Sequence, residues 1–181
     1  PKNVIFLKER KMKNFSSLLL ILSFIMSQQA IAQKNIKPEK AFEHYLNNGD
    51  LSYKYELKDS SKIGNTTVYQ LLLTSQQWKG ITWRHQLTVV VPSQIKYNGA
   101  LVIIAGGANT NEQPNWSNND KMWPVAAQMA AANQSMVAIL KQTPNQPLMG
   151  NLKEDELISY TLHQYKQDGD ASWPLLCLLY T

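Results

Sequence analysis

Apolar positions first alternate along this chain and later come in solid runs, and that change predicts its organisation. "KPEKAFEHYLNNGD" reads as a short helix, with Pro38 in its first turn and Ala41, Tyr45 and Leu46 on one face. Asn48-Gly49 ends it. "YKYEL" alternates Tyr53, Tyr55 and Leu57, and "TTVYQLLLTSQQW" is β-rich and partly alternating. "WRHQLTVVV" then sets Trp83, His85, Leu87, Val89 and Val91 on one face and stops at Pro92. Three strands in series with short connections predict an antiparallel meander.

After Asn98-Gly99 the pattern changes. "ALVIIA" is apolar without alternation, as expected of a strand covered on both faces. A polar loop, "GGANTNEQPNWSNND", leads to a helix in which Trp123, Ala126, Ala127, Ala130 and Ala131 share a face. Asn133 marks its stop, and "SMVAIL" is a second buried strand. A helix between two such strands is a parallel crossover unit. The loop "KQTPNQPLMG" carries Pro144 and Pro147 and cannot be helical. A third helix follows, with Asn151 as its cap and Glu154 three residues on in a capping-box position. Glu154, Asp155 and Glu156 suit its first turn, where the helix dipole favours negative charge. Leu157, Ile158, Thr161, Leu162 and Tyr165 form its buried stripe, and Asp168-Gly169 is its stop. The fold class is therefore α/β, antiparallel strands first and then a parallel crossover unit. The pattern ends on a helix with no third buried strand, so the sheet reads as truncated.

The N-terminus changes the picture of charge. From Met12, "KMKNFSSLLLILSFIMSQQAIAQK" has a basic start at Lys13 and a nine-residue apolar core, Leu18 to Met26. Ala30 and Ala32 stand at the two positions a signal peptidase reads, before Gln33. All three parts of a secretory leader are present. Nine residues are too few for a membrane span, which needs about 20. Residues 1–11 read as translated upstream sequence, 12–32 as the leader and 33–176 as the exported part, the N-terminal half of a larger domain. The whole chain carries a formal charge of +5, but the segment from Gln33 holds 13 basic and 12 acidic residues. Near-neutrality removes the charge argument for nucleic acid. At 44% apolar and 17% charged, the composition is that of a globular domain. The lone Cys177 allows no internal disulfide.

Candidate chemistry concentrates at "LVIIAGGANT". Ligands of open parallel sheets bind beyond the carboxyl ends of the strands, where Gly106 and Gly107 stand. In alpha/beta-hydrolases the loop after such a strand donates a backbone N–H to the oxyanion hole. Gly106 and Gly107 are the candidate donors; a tight turn is the plainer reading of the same pair. No G-x-G-x-x-G or P-loop motif occurs, so no cofactor is indicated. His44, His85 and His163 have no His or Cys at metal-ligand spacing, so no metal site is legible. His85, on an apolar strand face, reads as a core residue, and His163 as outward-facing. Glu154 and Asp155 read as helix-start residues rather than catalytic acids. The tryptophans at 78, 83, 116, 123 and 173 suit either a core or a stacking platform. No G-x-S-x-G-like turn is present, which places a serine nucleophile beyond Thr181.

Several segments together, "TSQQWKGITWRHQLTVVVP", "AGGAN", "QTPNQPL", "EDELISYTLHQY" and "GDASWPLL", resemble the PhoPQ-activated pathogenicity-related protein family. The resemblance runs from Phe42 to Leu176, and "PNQPL" followed by "EDELISYT" is its most specific part. It implies an exported protein of alpha/beta-hydrolase-like fold, with links to virulence or antimicrobial-peptide resistance and with secreted growth regulators among its relatives. It names no substrate. Family members are longer and continue after W-P-L with a P-M segment and then a glycine-flanked Ser turn. Here "CLLYT" (residues 177–181) stands in place of that continuation, which reads as a frameshifted or aberrant tail. Two functions follow. The parent protein is a serine hydrolase on ester or amide bonds, with this chain inactive by itself, or it is a secreted non-catalytic binding or signalling protein. The partner is a substrate or a peptide, and no membrane span survives removal of the leader. The segment from Gln33, expressed alone, is expected to be insoluble or molten; a sharp cooperative thermal transition in a soluble monomer would overturn this.

Overall fold

The computed structural model describes residues 36–117 and 120–174. The leader, residues 1–11 and Cys177 with its flanking tail lie outside these residues. The fold class is as the pattern predicts: an α/β arrangement, antiparallel strands first and a parallel crossover pair after. Pro38–Lys40 form a 3-10 turn that runs into α1, Ala41–Leu46. Three long strands follow, β1 (Lys54–Ile63), β2 (Thr66–Trp78) and β3 (Ile81–Pro92). Then come β4 (Ala100–Ile104), a small hairpin of β5 (Asn109–Thr110) and β6 (Gln113–Pro114), and α2 (Met122–Asn133). The last elements are β7 (Met136–Leu140) and α3 (Glu154–Asp168).

The main sheet has the order β1-β2-β3-β7-β4. The first four strands pair antiparallel in turn, and β4 pairs parallel with β7. α2 is the crossover between those two. It covers one face, where Trp123, Ala126, Ala127 and Ala130 pack on Val68, Val90, Val137 and Ile139. Small alanines let the helix sit close to the sheet. Ala131, expected on that stripe, is exposed instead.

The opposite face is covered at one end only. Trp78 and Trp83 pack there with Leu148 and Leu157, and Tyr45 of α1 and Trp173 flank them. An irregularity in β2 between Thr74 and Gln76 makes this cluster. Side chains alternate between faces along a strand, and one extra residue reverses the alternation. Val68 and Thr74 therefore face α2, whereas Trp78 turns to the other side.

Five expectations change. β3 does not bury one continuous stripe: Trp83 and His85 are buried on one face, and Gln86, Thr88 and Val90 on the other, under α2. Leu87, Val89 and Val91 share the face of Trp83 but lie beyond its cover, so they are half-buried. β4 is not covered on both faces; it is an edge strand with Leu101, Val102 and Ile104 exposed. Tyr55 and Leu57 on β1, the other edge strand, and Tyr53 just before it are likewise exposed. In α3, Leu157 and Thr161 are buried but Leu162 and Tyr165 are exposed, since the helix packs through its first two turns. Asn151 is no cap: the Glu154 N–H is taken by the Gln146 side chain at 3.0 Å, eight residues back. The stop at Gly169 holds, with a φ of 73° and its N–H on the Tyr165 carbonyl.

Candidate active site at the strand ends

The carboxyl ends of β4 and β7 lie side by side, tied by the Ala105 N–H to the Leu140 carbonyl at 2.8 Å. Gly106 and Gly107 leave the sheet at that point, and both are exposed. Among the described residues neither amide N–H has an acceptor. The two glycines differ. A side chain at Gly106 would meet nothing within 4 Å. Gly107 has a φ of 146°, and a Cβ there would stand 3.0 Å from Nε2 of Gln142. Only glycine fits both that conformation and that approach.

Behind the glycines is a buried amide network that the sequence pattern did not single out. The Gln86 N–H donates to Oε1 of Gln142 at 2.8 Å, and the Gln86 side chain exchanges two bonds with the Ser117 backbone. Asn145 accepts from the Arg84 N–H at 2.7 Å and donates to the Arg84 and Gln142 carbonyls. Asn109 donates to Asn145 Oδ1 at 2.8 Å. Buried amides of this kind are stable only when paired, and together they fix the positions of the β3, β5 and β7 ends. Asn109 and Ser117 of the polar loop after β4 are thus tied to β3 and to the loop after β7. Asn111 and Glu112, at φ 50° and 59°, form the two-residue turn of the β5–β6 hairpin. Arg84 reaches that turn through Glu112 at 3.4 Å. Lys141, just past β7, is ion-paired with Asp120. Burial pushes the Asp120 carboxyl up, but Lys141 and the Met122 N–H outweigh it and hold the pKa below the usual carboxylate value.

His85 is 3% exposed, as a core residue should be. Its Nδ1 lies 3.0 Å from the Lys141 carbonyl and its Nε2 2.8 Å from Ser75 Oγ. A carbonyl only accepts, so Nδ1 carries the proton and Nε2 accepts from the serine. Ser75 is the extra residue of the β2 irregularity, which no sequence motif marks. Burial lowers the His85 pKa below 6.5, against backbone hydrogen bonds that raise it. The unfolded chain therefore takes up the proton first as pH falls. The stability from neutral His85 is complete above pH 6.5 and declines between 6.5 and the lowered native value. In the family-length protein, the urea midpoint is expected to fall between about pH 7.5 and about pH 5.5, with a smaller fall in His85→Gln. Equal falls in both would remove His85 as the cause.

His44 and His163 are exposed, and Glu154 and Asp155 are exposed at the start of α3. Trp116 is partly exposed near the β5–β6 hairpin. No group of three or more His, Cys, Asp or Glu able to hold a metal occurs among the described residues. No described helix is long and apolar enough to cross a membrane. A cleft of about 260 Å³ between α1 and the β2–β3 turn is lined by His44, Tyr45, Lys79 and Asp170. Its main charges already neutralise each other, with Lys79 on Asp170 at 2.6 Å and over the Trp173 ring.

A mixed sheet with one parallel pair and a crossover helix between its two strands defines an α/β domain, with the amides of Gly106 and Gly107 unpartnered among the described residues at the strand ends. Residues 42–180 match the model of the family described as PhoPQ-activated pathogenicity-related protein, and the chain belongs to that family. It is 29% identical over 143 residues to autocrine proliferation repressor protein A of Dictyostelium discoideum. That match covers 74% of this chain and 28% of the relative, so the chain spans little more than a quarter of its length. Among solved structures it is similar to acetyl xylan esterase 1 from Thermoanaerobacterium sp., at 18% identity and a TM-score of 0.45. That similarity covers 79% of this chain and 44% of the esterase chain.

Proposed function

We propose that the family-length protein containing this segment is an exported, α/β-hydrolase-like serine hydrolase acting on ester or amide bonds. In this reading Gly106 or Gly107 supplies one oxyanion-hole N–H. The observation that carries it is the pair of exposed, unpartnered amides at the carboxyl end of β4, braced from behind by Gln142. A backbone donor aimed at the developing oxyanion is worth about 3 kcal/mol of transition-state stabilisation. The nucleophile, its base and its acid come from polypeptide beyond this segment, and the chain by itself is inactive. Export rests on the leader pattern from Met12 to Ala32.

The test is labelling by a fluorophosphonate probe. The family-length protein is expected to take up one equivalent on a serine, and the 181-residue chain none. An unlabelled family-length protein would sink the catalytic reading. So would ester hydrolysis by the 181-residue chain that disappears on replacing His85. The name of the Dictyostelium relative, an autocrine proliferation repressor, favours a second reading as a secreted binding or signalling protein. An unlabelled but correctly folded family-length protein would point that way.

A further inference from the structure

Gln142 carries more than its role as a brace requires. It is 1% exposed, and its Oε1 accepts from the Gln86 N–H at 2.8 Å. A backbone N–H can donate only to the oxygen of a carboxamide, so the orientation of the group is fixed and the nitrogen is the atom at Gly107. Nε2 carries two N–H donors, and among the described residues neither has an acceptor. Nor is this nitrogen one of the partnerless polar atoms sealed from solvent, as Asn109 Oδ1 and Thr143 Oγ1 are. It therefore opens on the space beside the glycine turn. The backbone adds a second observation. Gln142 has a φ of 55°, a left-handed conformation that Gly, Asn and Asp take more readily than glutamine. Strain of this kind collects at functional sites. A methionine would fill the same space against Gly107 without idle donors.

Reach is sufficient for a shared acceptor. A Cβ lies about 2.5 Å from its own backbone nitrogen. With 3.0 Å from the Gly107 Cβ position to Nε2, the two nitrogens are at most about 5.5 Å apart. One oxygen can then accept from both at the usual N–H···O length of about 2.9 Å. We infer that the Gln142 carboxamide is a catalytic donor, which together with the Gly107 N–H receives the acyl oxygen of the substrate as its charge grows. The inference rests on the proposed hydrolase reading and adds a side-chain donor to it. The donor is held in place before any substrate arrives. Gln86 pins its oxygen, Asn145 Nδ2 holds the Gln142 carbonyl at 3.0 Å, and the Lys141 N–H is on the Gln86 carbonyl at 3.0 Å. Fixed donors aimed at growing charge need no rearrangement as the reaction proceeds.

The rate of fluorophosphonate labelling of the family-length protein tests it. There the serine oxygen bonds to phosphorus as fluoride leaves, its proton passes to the base, and the phosphoryl oxygen carries the charge that the donors meet. Gln142→Glu keeps an acceptor for the Gln86 N–H and replaces Nε2 by oxygen. At about pH 8 its labelling should be about 100-fold slower than that of the unsubstituted protein. As pH falls to about 6, the ratio of the two rates should recover, since the protonated acid leaves its O–H on the Gly107 side. Gln142→Met has no donor at any pH, so it should be as slow and should show no recovery. A crystal structure of the labelled, unsubstituted protein gives a reading free of any folding defect. In it the phosphonyl oxygen should stand within about 3.2 Å of both the Gly107 nitrogen and Gln142 Nε2. A longer gap to Nε2 would overturn the inference. So would undiminished labelling of Gln142→Glu, or a loss in it that does not change with pH. In each of those cases the unsubstituted protein still labels, so the hydrolase stands and only the glutamine donor falls; absence of labelling removes both.

Discussion

Trp83→Ala is expected to cost the family-length protein about 3–5 kcal/mol, the largest loss from any single truncation in this segment. The ring is 1% exposed, with Trp78 edge-on at 5.8 Å, His85 at 6.3 Å, and Leu148 and Leu157 closing the cluster. This cluster joins the β2–β3 hairpin to the loop after β7 and to α3, so a cavity there loosens three elements together. Its indole N–H has no partner among the described residues. Trp83→Phe therefore forfeits no hydrogen bond and should cost far less. The urea midpoint reads both variants. A cost below about 1 kcal/mol for alanine would show that the cluster is dispensable.

Gly107→Ala should destabilise by about 1–3 kcal/mol, while Gly106→Ala should be close to neutral. The new methyl group at 107 meets Nε2 of Gln142 at 3.0 Å and its Cγ and Cδ at 3.2 Å. Gln142 cannot easily retreat: it is buried and its Oε1 is held by the Gln86 N–H. The φ of 146° adds backbone strain for any L side chain. Neither substitution removes an amide N–H, so a difference between them reports packing and not donor chemistry. Gln142→Ala should recover part of the Gly107→Ala loss. Equal, small effects at both glycines, or no recovery, would mean that the turn is not braced from Gln142.

Most elements were legible because their signals are local. The alternation of β3, the unbroken run of β4, the alanine stripe of α2 and the Asp168-Gly169 stop each fall within one element, and the structure has each. Burial was legible only in part, because it depends on what lies above the sheet. Leu87 and Val90 are equally apolar, yet only Val90 has a helix over it. The direction of Trp78 could not be read at all: it follows from a single extra residue in β2, and β2 remains β-rich on either register. At the site, the glycine pair was visible as a motif, but its brace was not. Gln86, Gln142, Asn109 and Asn145 are spread over 60 positions and meet only when the strand ends converge. Buried amides in this pattern carry no short-range signature.

The irregularity at Ser75 has a consequence for how this region can vary in length. Losing Ser75 would restore an unbroken ladder in which Trp78 still stands opposite Ile81, so the tryptophan cluster would keep its face of the sheet. What would go is the serine hydroxyl on Nε2 of His85. Between Thr74 and Gln76, then, a one-residue deletion is tolerable for packing, because β3 fixes the face of each partner. Across homologous sequences this stretch should behave as an expansion joint, present or absent by one residue while the flanking side chains hold their places.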